Sequence, residues 1–153
     1  MSDIQAIHEL TTSLYKGMKF VEGIMPDFNL LRSVFVRNAL IINGTPGKHY
    51  VFDLASFLES VEDRMLGNPD FHSFEEREVY ETTQIFGNIA QRVSTFEARW
   101  WGGEDEPFFM GVNMIQFVKI DEDWRVANVV WNKATPEIPL TKEFLSRDSP
   151  LLS

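Results

Sequence analysis

The sequence predicts an α+β fold in which a curved antiparallel or mixed sheet wraps around a long N-terminal helix, forming a cone. Three observations predict it. Near the N-terminus, apolar residues recur at three- and four-residue intervals, as one face of a helix requires. In the second half, long runs rich in β-branched and aromatic residues are separated by short turns. Helices therefore come first and strands later, which is the α+β pattern. The 153 residues fit a single domain, 1–153, large enough to bury a core without staples.

The elements follow in order. Residues 3–21 form an amphipathic helix, with Ile4, Ile7, Leu10, Leu14, Met18 and Val21 on one face and Ser2 or Asp3 as its cap. Gly23 and Pro26 end it. Residues 27–36 form a short second helix with Leu30, Leu31, Val34 and Phe35 inward. Asn38 to Asn43 is a strand that runs into the turn signal Asn43-Gly44-Thr45-Pro46-Gly47. His49 to Phe52 is its partner. Asp53 caps a third helix reaching Leu66, with Leu54, Phe57, Leu58, Val61 and Met65 as its stripe. Phe71 to Gln84 and residues 88–101 are long strands on either side of Gly87. After Trp131, Pro136, Pro139 and Pro150 mark an irregular surface tail.

Residues 112–132 form the central hairpin, with its turn at Asp121, Glu122 and Asp123. Opposing Ile120 with Trp124 places Val118 on Val126, Gln116 on Asn128 and Met114 on Val130. The other face then pairs Lys119 with Arg125, Phe117 with Ala127, Ile115 with Val129 and Asn113 with Trp131. Both faces are largely apolar, so both need cover. Helices of the chain supply one layer. The face carrying Ile115, Phe117, Val129 and Trp131 is assigned as convex, a contiguous apolar patch that a monomer rarely exposes.

Composition narrows the function classes. With 14 basic against 23 acidic residues, the net charge is −9. That opposes nucleic-acid binding and polybasic membrane contact. No cysteine is present, which excludes disulfides, thiolate metal sites and a cysteine nucleophile. The polar N-terminus is unlike a signal peptide, and no apolar run approaches a membrane span. A cytoplasmic location is the resulting expectation. The spacing of Asp, Glu and His matches no metal site, and neither a phosphate-cradling glycine loop nor a serine elbow is present. No metal and no cofactor are therefore expected.

Two segments, IFGNIAQRVSTFEA (85–98) and MIQFVKIDEDWRVANVVW (114–131), resemble the nuclear-transport-factor-2-like superfamily, especially its SnoaL-like and DUF4440-like bacterial single-domain members. Phe74, Glu76 and Glu78 resemble the acidic strand that precedes these runs. The likeness covers nearly the whole chain. It implies a cystatin-like α+β barrel with a pocket between the first helix and the sheet. It also implies sheet-to-sheet pairing, hence a homodimer through Ile115, Phe117, Val129 and Trp131. It does not imply one activity, because this fold carries many. The ketosteroid isomerase branch places an aspartate base on the first strand, where this chain has Ala39, Leu40, Ile41 and Ile42. Tyr15 could imitate that branch's oxyanion tyrosine, but without a base one tyrosine does not make the enzyme.

Candidate site residues are polar groups in strands that otherwise read as buried, where an unpaired group costs about 1–3 kcal/mol. Gln116 and Asn128 form either a structural amide pair or a pocket wall that binds a ligand carbonyl. Arg92 and Ser94 share one face of their strand, and Glu97 and Arg99 share the other. Arg92 either pairs with Glu78 or Glu76 across strands or holds a ligand carboxylate. Glu76 and Glu78 share a face, so one could become a general acid, or both could be solvated edge charges. Tyr15 packs with one partner or polarises a ligand. Tyr15, Glu78, Arg92, Trp101, Gln116, Trp124 and Asn128 are the pocket candidates, with Phe20 and Phe35 as further lining. The expected ligand is a small apolar or aromatic molecule. The expected function is binding it, or acid/base chemistry on an apolar carbonyl compound. The alternative is a non-catalytic interaction module whose cone is filled by its 13 Phe, 4 Trp and 3 Tyr.

Overall fold

The computed structural model describes residues 1–21, 24–67, 73–101 and 108–145. Helix α1 (Asp3–Met18) starts where the Ser2 hydroxyl accepts from the Gln5 amide at 3.3 Å. It buries Ile7, Thr11, Leu14 and Tyr15, the spacing of one helical face. It stops at Met18, three residues earlier than the apolar period alone suggests, because Lys19 is extended and the next residue pairs as a strand. Phe20 exchanges two backbone hydrogen bonds of 3.0 Å with Phe74.

Helix α2 (Phe28–Val34) is capped by Asp27, whose carboxylate accepts from the Leu30 amide at 3.0 Å. Strands β1 (Phe35–Asn43) and β2 (Tyr50–Asp53) follow. Helix α3 (Leu54–Gly67) is capped by Asp53, which accepts from the Ser56 amide at 2.8 Å. Strands β3 (Ser73–Phe86), β4 (Ile89–Trp101), β5 (Phe108–Ile120) and β6 (Asp123–Lys133) complete the sheet. Its order is β2-β1-β6-β5-β4-β3. The β1–β6 pair is parallel and the rest are antiparallel, so the sheet is mixed and open rather than a closed barrel. Gly87 at φ 58° leads the two-residue turn between β3 and β4, a backbone that suits glycine.

The core lies between the helices and the concave face. Ile7, Leu14, Leu31, Val34, Phe35, Leu54 and Leu58 pack there against Ile41, Ile115, Phe117, Trp124, Val126 and Val129. Two sequence expectations change here. The hairpin turn has two central residues, Asp121 and Glu122, both at positive φ (49° and 69°), so Ile120 opposes Asp123 and Lys119 opposes Trp124. A bulge between Phe117 and Gln116 leaves Ala127 unpaired, and the expected pairs Gln116–Asn128, Ile115–Val129, Met114–Val130 and Asn113–Trp131 resume beyond it. The extra residue reverses the side-chain parity of β6. Trp124 and Val126 therefore join Val129 and Trp131 on the same face.

The second correction concerns the faces themselves. Ile115, Phe117 and Val129, 1%, 2% and 6% exposed, are covered by the chain's own helices. They lie on the concave face, with Trp131, and not on a convex interface. The convex face carries Leu40, Met114, Gln116, Asn128 and Val130. The described tail is irregular and mostly at the surface, as expected, with one anchored turn. Lys142–Phe144 form a 3-10 turn against β4, where the Thr95 hydroxyl donates to the Phe144 carbonyl at 2.6 Å and Leu145 is buried. Among the described residues, no helix is long and apolar enough to cross a membrane.

Candidate functional site

A cavity of about 190 Å³ lies between the C-terminal half of α1, helix α3 and the concave face of the sheet. Its walls are mostly apolar, including Leu14, Phe20, Phe35, Phe57, Phe96 and Trp131. Strand alternation delivers these rings inward. Gly111 makes room for one of them: a Cβ there would sit 2.7 Å from the Phe96 ring and 2.6 Å from the Asn132 carbonyl oxygen. Among the described residues, those with charged, hydroxyl or amide side chains that line the cavity are Tyr15, Arg64, Glu76 and Asn113.

Glu76 is the chemical centre. It opposes Ala98 on β4, so its side chain points inward among Phe74, Phe96 and Trp100 of the same wall. The Asn113 amide donates to its Oε1 at 3.2 Å. Burial disfavours its charged form and pushes its pKa up to about 7, although the Asn113 hydrogen bond acts in the opposite direction. The same Asn113 nitrogen donates to the Tyr15 hydroxyl at 3.0 Å. Tyr15 is held above the usual tyrosine range, first by burial and then by the charge of Glu76. It therefore stays protonated at neutral pH.

The Tyr15 proton is already committed. Its hydroxyl is 2.7 Å from the Ser94 Oγ, and Ser94 donates to Glu78 Oε2 at 2.5 Å. With Asn113 donating to Tyr15, the chain runs Asn113 to Tyr15 to Ser94 to Glu78. Arg92 closes it as a fork, Nε to Oε2 at 3.0 Å and Nη2 to Oε1 at 2.6 Å. Thr83 and His8 Nδ1 take further Arg92 contacts at 3.2 Å each. The Arg92 side chain is 1% exposed. This second cluster lies on the same concave face as Glu76, but its groups satisfy one another.

The pocket candidates thus divide. Tyr15, Phe20 and Phe35 line the cavity. Arg92 and Glu78 form the across-strand ion pair, outside the cavity lining. Gln116 and Asn128 pair with each other at 2.9 Å on the convex face and do not line this cavity, although Gln116 borders a separate depression beside Gln91 and Ala127. Trp124 is buried near the start of α1, where its indole donates to Asp3 at 3.0 Å. The side chain of Trp101 lies outside the described residues. The acidic pair on β3 was legible, but the cavity takes Glu76 and the arginine takes Glu78. Asn113 and Arg64 were missed. The signal for Asn113 was an amide sharing a face with Ile115 and Phe117. For Arg64 there was only its place on the stripe of α3 beside Val61.

No protein-family model matches the sequence, and no curated protein matches it. Solved structures do match in fold. A protein of unknown function with a cystatin-like fold from Nostoc punctiforme is 15% identical at a TM-score of 0.65, covering 91% of this chain and 96% of that one. A proposed dehydratase of the nuclear-transport-factor-2-like family from Streptomyces avermitilis is 14% identical at a TM-score of 0.67, covering 87% and 96%. A proposed scytalone dehydratase from Novosphingobium aromaticivorans is 13% identical at 0.64, covering 96% and 94%. The chain has the nuclear-transport-factor-2-like, cystatin-like fold.

Proposed function

We propose that this chain binds a small apolar carbonyl compound in the cavity and that Glu76 exchanges a proton with it. The observation that carries this reading is a carboxyl group of pKa about 7 facing a mostly apolar cavity, with only Asn113 as a hydrogen-bonded partner among the described residues. Such a group is present in both protonation states at neutral pH, the condition that suits a general acid or base. Ionised Glu76 can take a proton from carbon next to a carbonyl, and protonated Glu76 can return it. Size bounds the ligand. An apolar cavity of about 150 Å³ holds a benzene ring, so about 190 Å³ suits one ring with a few substituents. The proposed dehydratases among the fold neighbours support proton chemistry in such a cone, at the level of fold alone.

A thermal-shift screen of single-ring ketones and aldehydes tests binding. A ligand at a hundred times its Kd adds about 2.7 kcal/mol of stability. Mass spectrometry in deuterated buffer then tests proton exchange at the carbon beside the carbonyl. Exchange should fall at least about a hundredfold in Glu76→Gln. Unchanged exchange in that variant would sink the catalytic part of the reading, and a blank screen would sink the ligand part.

The alternative is a non-catalytic assembly module, and one observation favours pairing. Leu40, Met114 and Val130 on the convex face are 42%, 49% and 39% exposed, with Met114 directly opposite Val130. A homodimer through this face would cover them. Light scattering on Met114→Glu tests it: a dimer that becomes monomeric supports the pairing, and a wild-type monomer rejects it.

A further inference from the structure

We infer that Arg64 is an anion anchor at the rim of the cavity and that the ligand is accordingly a single-ring carboxylic acid. This rests on the cavity reading above. Arg64 is the one cationic side chain in the described lining of the cavity, and it is exposed to solvent on the last turn of α3. Its own helix gives it no acidic partner. Side chains meet at three- and four-residue spacing, and the positions before Arg64 at that spacing are Val61 and Ser60. Glu62 and Asp63 precede it at the wrong spacing. The ion pairs among the described residues use Lys19, Arg77, Arg92 and Lys119, and none uses Arg64. Arg92, by contrast, is fully engaged by Glu78. Among the described residues lining the cavity, Arg64 is therefore the guanidinium available to a ligand.

The rest of the cavity fixes what that cation can hold. A guanidinium fork suits a carboxylate. The net charge of −9 repels a dianion about twice as strongly as a monoanion, which favours carboxylate over phosphate. The inner carboxyl, Glu76, repels a second carboxylate whenever it is ionised. The ligand is thus oriented one way: its acid group at the rim, its ring among the aromatic walls, its carbonyl toward Glu76.

Calorimetric titration with 4-oxocyclohexanecarboxylate and its neutral partner 4-(hydroxymethyl)cyclohexanone tests this. Wild type should bind the acid roughly two- to fivefold more tightly, within the range of a solvent-exposed ion pair. Arg64→Met should bind the two compounds equally. Arg64→Lys should keep part of the preference. Equal binding by wild type, or a preference that survives in Arg64→Met, overturns the inference and leaves the cavity reading standing if the alcohol still binds. Binding of neither compound overturns both together.

Discussion

Glu76 and Glu78 stand two residues apart on one strand and point to the same side of the sheet, yet their environments differ completely. Glu78 accepts from Arg92 and Ser94, and its partners are themselves anchored by Tyr15, Thr83 and His8. Glu76 accepts from Asn113 and otherwise faces rings. A carboxylate held by a guanidinium fork has its oxygens occupied and serves the fold. A carboxylate enclosed by apolar walls is driven toward its neutral form and becomes available for chemistry. The difference is in the partners, not in the residue type or the strand.

Removing Arg92 should give the largest effect. Arg92→Met removes the partner of the largely buried Glu78 carboxyl, and breaking such a pair costs about 3 kcal/mol. Urea denaturation would show it, and a loss below about 1 kcal/mol would mean the two clusters are less different than their geometry indicates.

Glu76 should behave in the opposite sense. Its folded pKa of about 7 lies above the ordinary 4.5, so the folded state holds its proton more tightly than the unfolded chain does. Its contribution to stability is full below about pH 4.5 and is lost as pH rises through 7. Relative to Glu76→Gln, wild type should lose on the order of 2–3 kcal/mol between pH 4.5 and 8. Parallel pH profiles for the two proteins would remove the distinction between the glutamates.

Tyr15 links the two clusters, so Tyr15→Phe should cost about 1 kcal/mol, the net worth of a buried hydrogen bond. It should also alter the pH profile of Glu76, because Asn113 loses one of its two acceptors. A profile identical to wild type would show that the clusters are not coupled. Gln116→Leu is the control. Its amide pair lies on the convex face, so stability should move by no more than about 0.5 kcal/mol and ligand binding should not change.

Much of the fold was readable from particular residues. Asp53 caps the helix it precedes, and Gly87 turns β3 into β4. The far half of the β5–β6 pairing, from Gln116–Asn128 to Asn113–Trp131, follows from alternation alone. The near half does not, because the two-residue turn and the bulge at Ala127 shift it by one and then restore it. Of the site, Tyr15 and the β3 acidic pair were legible. Asn113 was read onto the wrong face, and Gln116 and Asn128 were read as pocket residues although they face outward.

The sequence by itself determined the order and type of the elements, because helix and strand periods and capping chemistry are local properties of the chain. It also determined that Arg92 and Glu78 would need partners, because buried charge demands them. Only the tertiary structure decided which side of the sheet is inside. Ile115 and Phe117 on one face, and Met114 and Val118 on the other, are all apolar, so composition cannot choose between them. The helices choose by covering Ile115 and Phe117. That choice places Asn113 beside Glu76, gives Arg92 to Glu78, and leaves Glu76 facing the cavity.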